Sequence, residues 1–533
     1  MSTEKHPVDI SPARALQNLG RLHGDRTALI YENHTVDYRE LTARVHAMAL
    51  TLHASGIRKG DRVAYLGLNS PTFLVTYLAS AWVGGVFVPI NFRLAAAEIA
   101  YQLGDFGPRV LIVEPGHMPV VDEIDPAVLP PRLIAVDNDD AVPLTDEPAE
   151  RWERLTAALA RGAGLDIALS PLPRYADDLA ALMYTSGTTG RPKGVMLTHG
   201  NIWWNSFNVD SVVETSRSDV NLAVAPLFHI GCLNSFTLRS LARGGATLVR
   251  RSFDPAQTLA DLVEYKVNTI FAVPAMFSAV AQLPQFADAD LSQLRSAIVA
   301  GAPVPPSLVK EYGHHGVALQ QAWGLTETAP FATSLPPERT LERASSAGLP
   351  MPFCEIKIVD PVTGATLTEP NAAGEICVRG PNVTPGYWAN QQATDAAFDA
   401  ENWFHSGDLG CLDEDGFLYI VDRIKDMIIT GGENVYPAEV ERVLVEYPGV
   451  TDAAVVGAPD AKWGEIVVAV LVVSTDTDPT LEEIRDFTSE RLARYKLPKE
   501  ILVLDSLPRN GSGKLDKVSL RKLAADGHGS LGR

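Results

Sequence analysis

Through about its first 420 residues the chain alternates short apolar, β-branched runs with longer stretches of helical period. Val110–Val113, Ala246–Val249 and Thr269–Val273 are such runs. Short apolar runs separated by helix-length segments predict parallel strands buried on both faces and covered by helices. The fold class expected is α/β, with a large N-terminal domain of parallel sheets flanked by helices. Val63 to Phe92 carries no charge and exceeds the roughly 20 residues that span a bilayer. Asn69-Ser70-Pro71 and Gly84-Gly85 divide it. The division predicts strand 62–67, helix 70–83 and strand 86–89, a buried βαβ unit in place of a membrane span. Ser11-Pro12 marks a helix start, with a capping hydroxyl before a proline at the first helical position. The Ala- and Gly-rich segment 157–164 is expected to link subdomains.

After about residue 423 the texture changes. A helix over 437–446, strands near 453–456 and 465–473, and a helix over 481–492 predict a small α+β domain. The tail at Gly527-His528-Gly529 is expected to fray.

Composition narrows the function. With 46% hydrophobic and 21% charged residues among 533, the chain is globular and long enough for more than one domain. Lys+Arg 45 against Asp+Glu 65 gives a net charge of −20, a field that repels nucleic acid and anionic lipid. An anionic ligand therefore needs a dedicated local site. Cys232, Cys354, Cys377 and Cys411 show no CxxC spacing, so neither a disulfide framework nor a zinc site is expected, and a reducing cytosol fits. Met1 to Ile10 lacks the apolar run of a signal peptide.

The densest chemistry lies in Tyr184-Thr185-Ser186-Gly187-Thr188-Thr189-Gly190-Arg191-Pro192-Lys193-Gly194, between two apolar runs. Hydroxyls and glycines at this density let amides and OH groups surround a polyphosphate, and Lys193 adds a cation. The Gly-Lys-Ser/Thr ending of the common P-loop is absent.

This loop resembles the signature of the adenylate-forming superfamily, which includes acyl-CoA synthetases, peptide-synthetase adenylation domains and beetle luciferases. The resemblance continues in order through Ala300-Gly301-Ala302-Pro303, Gln321-Ala322-Trp323-Gly324-Leu325-Thr326-Glu327, Gly374-Glu375-Ile376, Trp403-Phe404-His405-Ser406-Gly407-Asp408, Asp422-Arg423-Ile424-Lys425-Asp426 and Asn510-Gly511-Ser512-Gly513-Lys514. It implies a large adenylation domain over 1–422 that includes a small β-barrel-like subdomain, a hinge over 423–425, and a mobile domain over 426–533. It also implies ATP, Mg²⁺ and coenzyme A as reaction partners.

The resemblance assigns residues as follows. Thr185 to Gly190, Lys193, Gly301, Ala302, Pro303, Gln321, Ala322, Trp323, Gly324 and Ile420 belong to the nucleotide site. Glu327 is the Mg²⁺ ligand and Thr326 meets the α-phosphate. Asp408 and Arg423 take the ribose. Trp323 stands where the family usually has Tyr, which removes a hydroxyl from the adenine pocket. Lys425 is the hinge, about which the small domain presents first Lys514, for adenylate formation, and then Gly431, Gly432 and Glu433, for the thiol. Side-chain-free glycines suit the passage of a thin pantetheine arm. Arg250 and Arg251 are either contacts for coenzyme A phosphates or a solvated basic pair.

Pro226-Leu227-Phe228-His229 resembles the acid-binding segment, with His229 at the carboxylate. The acyl pocket is expected to draw on Ile230, Gly231, Asn234, Met276, Phe277 and Ala300, while Cys232 is expected to be an inert buried thiol. Gly231 and the small residues near Ala300 suggest room for an extended chain, so a medium- or long-chain fatty acid is the first expectation. Aryl or hydroxycinnamate acids are the alternative, as is transfer to a carrier protein or other nucleophile. A homodimer is compatible with this reading.

Overall fold

The computed structural model describes residues 7–139, 141–145, 147–185, 191–431, 433–460, 462–474, 478–509 and 515–526. Cα packing divides the chain into two units, Met1–Ile356 with Val378–Phe404, and Lys357–Cys377 with His405–Arg533. Lys425, the expected hinge, lies within the second unit.

In the first unit, one sheet runs in the order Trp152–Arg154, Arg132–Ala135, Val110–Val113, Arg62–Leu66, Val86–Ile90, Leu179–Thr185, Lys193–Thr198. Its neighbours are parallel except the last pair, an antiparallel hairpin. The second sheet runs Leu349–Pro350, Phe331–Ser334, Leu319–Gly324, Ser296–Val299, Thr269–Ala272, Val220–Ala223, Ala246–Val249, Thr27–Tyr31, His34–Asp37. Its interior is parallel and its two edges are antiparallel. Parallel order follows from the sequence, because each buried apolar strand needs a helical crossover to return.

Helix Pro71–Val83 is the middle of the charge-free stretch, and it is buried on every side. A helix apolar all round belongs in a core, here the cluster that joins Phe87 and Ala181 of one sheet to Ala223, Phe271 and Ile298 of the other. Among the described residues no helix is long and apolar enough to cross a membrane. Residues 157–164 are not a linker: Leu155–Ala163 is a helix against Tyr38–Ala54. The small residues serve close approach, since a Cβ at Gly162 would meet the Thr51 backbone nitrogen at 2.7 Å.

The second unit carries a five-stranded sheet, Thr366–Leu367, Glu355–Val359, Gly374–Arg379, Phe404–Leu412, Leu418–Arg423, three of whose strands begin or end in the first unit. A further sheet is built around the long hairpin Val450–Asp460 and Gly464–Val473. One face of that hairpin is covered by helices Pro437–Leu444 and Leu481–Ser489, and the other by Lys517–Ala525. Alternating core and opposite-face residues, such as Val455 and Val456, follow the two-residue period of a strand.

Candidate active site

The hydroxyl-rich segment falls in sequence between two antiparallel partners, Leu179–Thr185 and Lys193–Thr198, with Thr185 opposite Lys193. Ser186, Gly187, Thr188, Thr189 and Gly190 lie outside the described residues. The ammonium of Lys193 stands 4.9 Å from the ring centroid of Tyr387, whose hydroxyl donates to Glu327 Oε1 at 3.0 Å. Burial, together with the Glu327 carboxylate, pushes the Tyr387 phenol well above its ordinary range, so it stays a donor. Lys193 and Glu327, far apart in sequence, are thus bridged by one ring.

Backbone bonds fix this arrangement. Met196 N–H donates to Gly386 O at 3.0 Å, Trp388 N–H to Gly194 O at 2.8 Å, and Thr384 N–H to Glu327 O at 2.7 Å. Tyr387 was not singled out from the sequence; its signal is the Pro385-Gly386-Tyr387-Trp388 run, where Gly386 has φ 138° and a Cβ would strike Thr394.

Thr326 and Glu327 sit in a tight 3₁₀ turn, Thr326–Thr328, after the strand Leu319–Gly324. Gly324 is required there, since a Cβ would meet Pro330 O at 1.9 Å. Buried asparagines hold the turn. Asn234 Nδ2 donates to Ala329 O at 2.6 Å, and Asn382 Nδ2 donates to Thr328 O at 2.7 Å and Phe331 O at 2.9 Å. Asn205 Nδ2 in turn donates to Asn234 O at 2.9 Å. Asn234, expected in the acyl pocket, is fully buried as a brace for this turn.

The Phe228-His229 pair precedes a short helical turn, and the two rings lie 4.1 Å apart. His229 is half-buried, while Ile230 and Ala300 are buried. Gly231 does not open a channel on its Cβ side, because a Cβ there would meet Phe271 Cζ at 2.7 Å. The Phe271 ring tilts against Phe331 at 6.1 Å. Phe277 turns into a separate core, edge-on to Tyr312 at 5.3 Å, and only its neighbour Met276 touches the core shared with Phe271. Cys232 is buried, and burial pushes its thiol up to about 12, consistent with an inert group.

Gly301, Ala302 and Pro303 are exposed, and Gly301 takes φ 92°. Gln321, Ala322 and Trp323 are buried, and the Gln321 amide donates to Ala344 O. Arg250 and Arg251 are neither a solvated pair nor free cations. Arg250 binds Asp261 through two bonds of 2.8 and 2.6 Å, and Arg251 binds Glu114 at 2.6 Å.

In the second unit, Asp408 and Arg423 face each other across an antiparallel pair, with Arg423 Nε 3.2 Å from Asp408 Oδ1. Ile420 lies opposite Gly410 in the same pair. Gly407 takes φ 72°, which turns the strand at Asp408. Its N–H donates to Glu375 Oε1 at 3.0 Å, while Glu375 Oε2 is 2.8 Å from His405 Nδ1, itself 3.5 Å from Cys377 Sγ. The Gly374-Glu375-Ile376 motif therefore braces the bend that carries Asp408. Asp422 accepts from Ala438 N–H at 2.7 Å, and burial raises its carboxyl. Lys425 is exposed. Gly431 takes φ 61° and donates to Trp463 O at 2.8 Å, and Glu433 is exposed. Gly432 and Lys514 lie outside the described residues.

Two family models match, the AMP-binding enzyme over residues 16–388 and the AMP-binding enzyme C-terminal domain over 439–514. Feruloyl-CoA synthase of Amycolatopsis sp is 41% identical, over 94% of this chain and 96% of its own length. Indoleacetate–CoA ligase of Aromatoleum aromaticum is 38% identical over 95% and 96%. Long-chain-fatty-acid–CoA ligase FadD13 of Mycobacterium tuberculosis is 38% identical over 91% and 92%. Among solved structures, o-succinylbenzoate coenzyme A synthetase (MenE) of Bacillus subtilis, in complex with ATP and magnesium ion, superposes with a TM-score of 0.80 at 33% identity, covering 95% of this chain and 98% of that one. The chain belongs to the family of AMP-binding enzymes and is an AMP-forming acid–CoA ligase.

Proposed function

We propose that the acid is aryl-substituted, of the arylacrylate or arylacetate class. The observation that carries this reading is the Phe271 ring set against Gly231, where an open channel for an extended chain was expected. A flat aromatic face beside a glycine suits an aromatic acid. The printed activities of two relatives, feruloyl-CoA synthase and indoleacetate–CoA ligase, support the same class. A fatty acid is the second reading, favoured by the relative FadD13.

The substrates are the acid, ATP and coenzyme A. A carboxylate oxygen attacks the α-phosphorus, the bond to pyrophosphate breaks, and acyl-AMP forms. The thiol sulfur then attacks the acyl carbon, AMP leaves with the bonding electron pair, and the thiol proton passes to solvent. Lys193 and the hydroxyl-rich turn hold the polyphosphate, Thr326 the α-phosphate, and Asp408 with Arg423 the ribose hydroxyls. His229 orients the carboxylate. Lys514 stabilises charge as the first bond forms. Glu327 fits a magnesium ligand, because it presents a hard carboxylate oxygen steadied by Tyr387. Mg²⁺, when bound, neutralises phosphate charge.

The test is acid-dependent pyrophosphate release across hydroxycinnamates, arylacetates, straight-chain acids and amino acids, with thioester measured on coenzyme A and on a carrier protein. The aryl acids are expected to lead in kcat/KM by roughly tenfold or more. Preference for straight-chain acids would return the fatty-acid reading, and thioester on the carrier alone would displace coenzyme A.

A further inference from the structure

The second unit holds a group of side chains that the chemistry of adenylation leaves unexplained. Among the described residues, Glu375, Cys377 and His405 offer a carboxylate oxygen, a sulfur and a ring nitrogen within 4.8 Å of one another. Glu375 and Cys377 stand two apart on the strand Gly374–Arg379 and so share a face. His405 comes from the neighbouring strand, Phe404–Leu412. Cysteine spacing alone predicts no zinc site, because the members of this group meet across two strands. A brace for the bend at Asp408 needs only Glu375 and His405, and the thiol is what that role does not account for.

The contacts converge on one atom. His405 Nδ1 is 2.8 Å from Glu375 Oε2 and 3.5 Å from Cys377 Sγ. A tetrahedral zinc ion, with ligand bonds of about 2.0–2.3 Å, sets nitrogen and oxygen about 3.3 Å apart and nitrogen and sulfur about 3.5 Å apart. The sulfur already stands at that separation, and the carboxylate must yield by about 0.5 Å. A thiolate with an imidazole suits a borderline-soft cation and not Mg²⁺, which takes oxygen. His405 and Glu375 keep 29% and 13% of their side chains accessible, and Cys377 is fully buried. A cation therefore arrives past the imidazole, where water can serve as the fourth ligand. The net charge of −20 favours its approach.

We propose that Glu375, Cys377 and His405 form a Zn²⁺ site that, when filled, lowers the affinity of the chain for ATP. The thiol binds as its thiolate and releases its proton to solvent, while Nδ1 of His405 and Oε2 of Glu375 supply lone pairs. The link to the nucleotide is Glu375 itself. Its Oε1 accepts Gly407 N–H at 3.0 Å, and Gly407, at φ 72°, turns the strand into Asp408. Drawing Oε2 from the imidazole onto a metal shifts Oε1, and the bend with it. The effect on ATP rests on Asp408 holding the ribose; the metal site does not.

The full chain is titrated with Co²⁺, which occupies tetrahedral zinc sites and reports thiolate ligation as a charge-transfer absorption, and then with Zn²⁺ in competition. The wild type is expected to show the thiolate band. Cys377→Ser should lose it and bind Zn²⁺ at least about tenfold more weakly, the least that loss of even an indirect partner costs. Cys411→Ser, which changes the least buried of the four thiols, should keep both. Cys377→Ala removes the thiol without adding a buried hydroxyl, and wild-type pyrophosphate release in the absence of zinc shows that either Cys377 variant is folded. Acid-dependent pyrophosphate release at buffered free Zn²⁺ then reads the KM for ATP. It is expected to rise about fivefold in the wild type, the lower end of ordinary coupling between sites, and to stay unchanged in the Cys377 variants. Absence of the thiolate band in the wild type, or its survival in both Cys377 variants, overturns the site. A KM that zinc leaves alone, or raises equally in wild type and variants, overturns the effect on ATP. An unchanged KM for ATP in Asp408→Asn, measured without zinc, would instead refute the ribose reading.

Discussion

At the residue scale, the site turns on how one phenol joins a cation to a carboxylate. Tyr387 donates to Glu327 and presents its ring face to Lys193. Removing the hydroxyl leaves a buried carboxylate short of one donor. Glu327→Gln is expected to raise the Mg²⁺ concentration for half-maximal pyrophosphate release by more than about tenfold, and Tyr387→Phe by about tenfold, the usual scale for a partner of a metal ligand. Titration of Mg²⁺ at saturating ATP checks both, and unchanged metal dependence in Glu327→Gln would remove Glu327 from the ligand set. The motif order singled out Glu327 as a candidate, since a carboxylate beside a hydroxyl and a glycine has chemical meaning in one dimension. Tyr387 was not legible, because its role depends on a crossing between segments 60 residues apart.

At the element scale, the strands and helices follow the apolar pattern, and the departures have physical causes. Residues 157–164 looked like a linker because Ala and Gly lack bulk, yet the same smallness lets a helix approach Thr51 closely. Gly231 looked like open space, but what fills the gap beside a glycine is decided by a distant strand, here the one carrying Phe271. The helix His199–Val212 shows an element tied at its first turn. Thr198 Oγ1 accepts from Asn201 N–H at 3.0 Å, and Asn201 Oδ1 accepts from Thr198 N–H at 2.9 Å, a reciprocal cap.

The cap buries His199, whose folded-state pKa falls from 6.5 to about 3. Burial is the main cause and Arg174 adds to it, while Asp178 and Asp9 oppose it. The folded form keeps the imidazole neutral, so below 6.5 only the unfolded chain takes the proton. Stability is therefore fully present above 6.5 and is lost as pH falls toward 3. Between pH 7 and pH 5 this amounts to about 2 kcal/mol. Urea unfolding of wild type and His199→Gln at both pH values measures it. The variant should lose less stability on acidification by about that amount, and parallel losses would contradict the assignment.

At the scale of the whole molecule, one chain must carry out two steps with different electrostatic demands. Adenylate formation brings a carboxylate up to an anionic phosphate, and charge accumulates between them. Thioester formation returns the bonding pair to the departing AMP, but drives no incoming carboxylate against a phosphate. A positioned ammonium therefore favours the first transition state far more than the second. Lys514, which follows Gly-Ser-Gly in the sequence, is the ammonium we assign to the first step. Lys514→Ala is expected to slow acid-dependent pyrophosphate release by roughly 10²–10³-fold, while thioester formation from supplied acyl-AMP and coenzyme A stays near the wild-type rate. Single-turnover measurement of each half-reaction separates the two. Equal loss in both would mean that the lysine serves the nucleotide at every stage, and the division of labour along the chain would have to be redrawn with a different group responsible for the first bond.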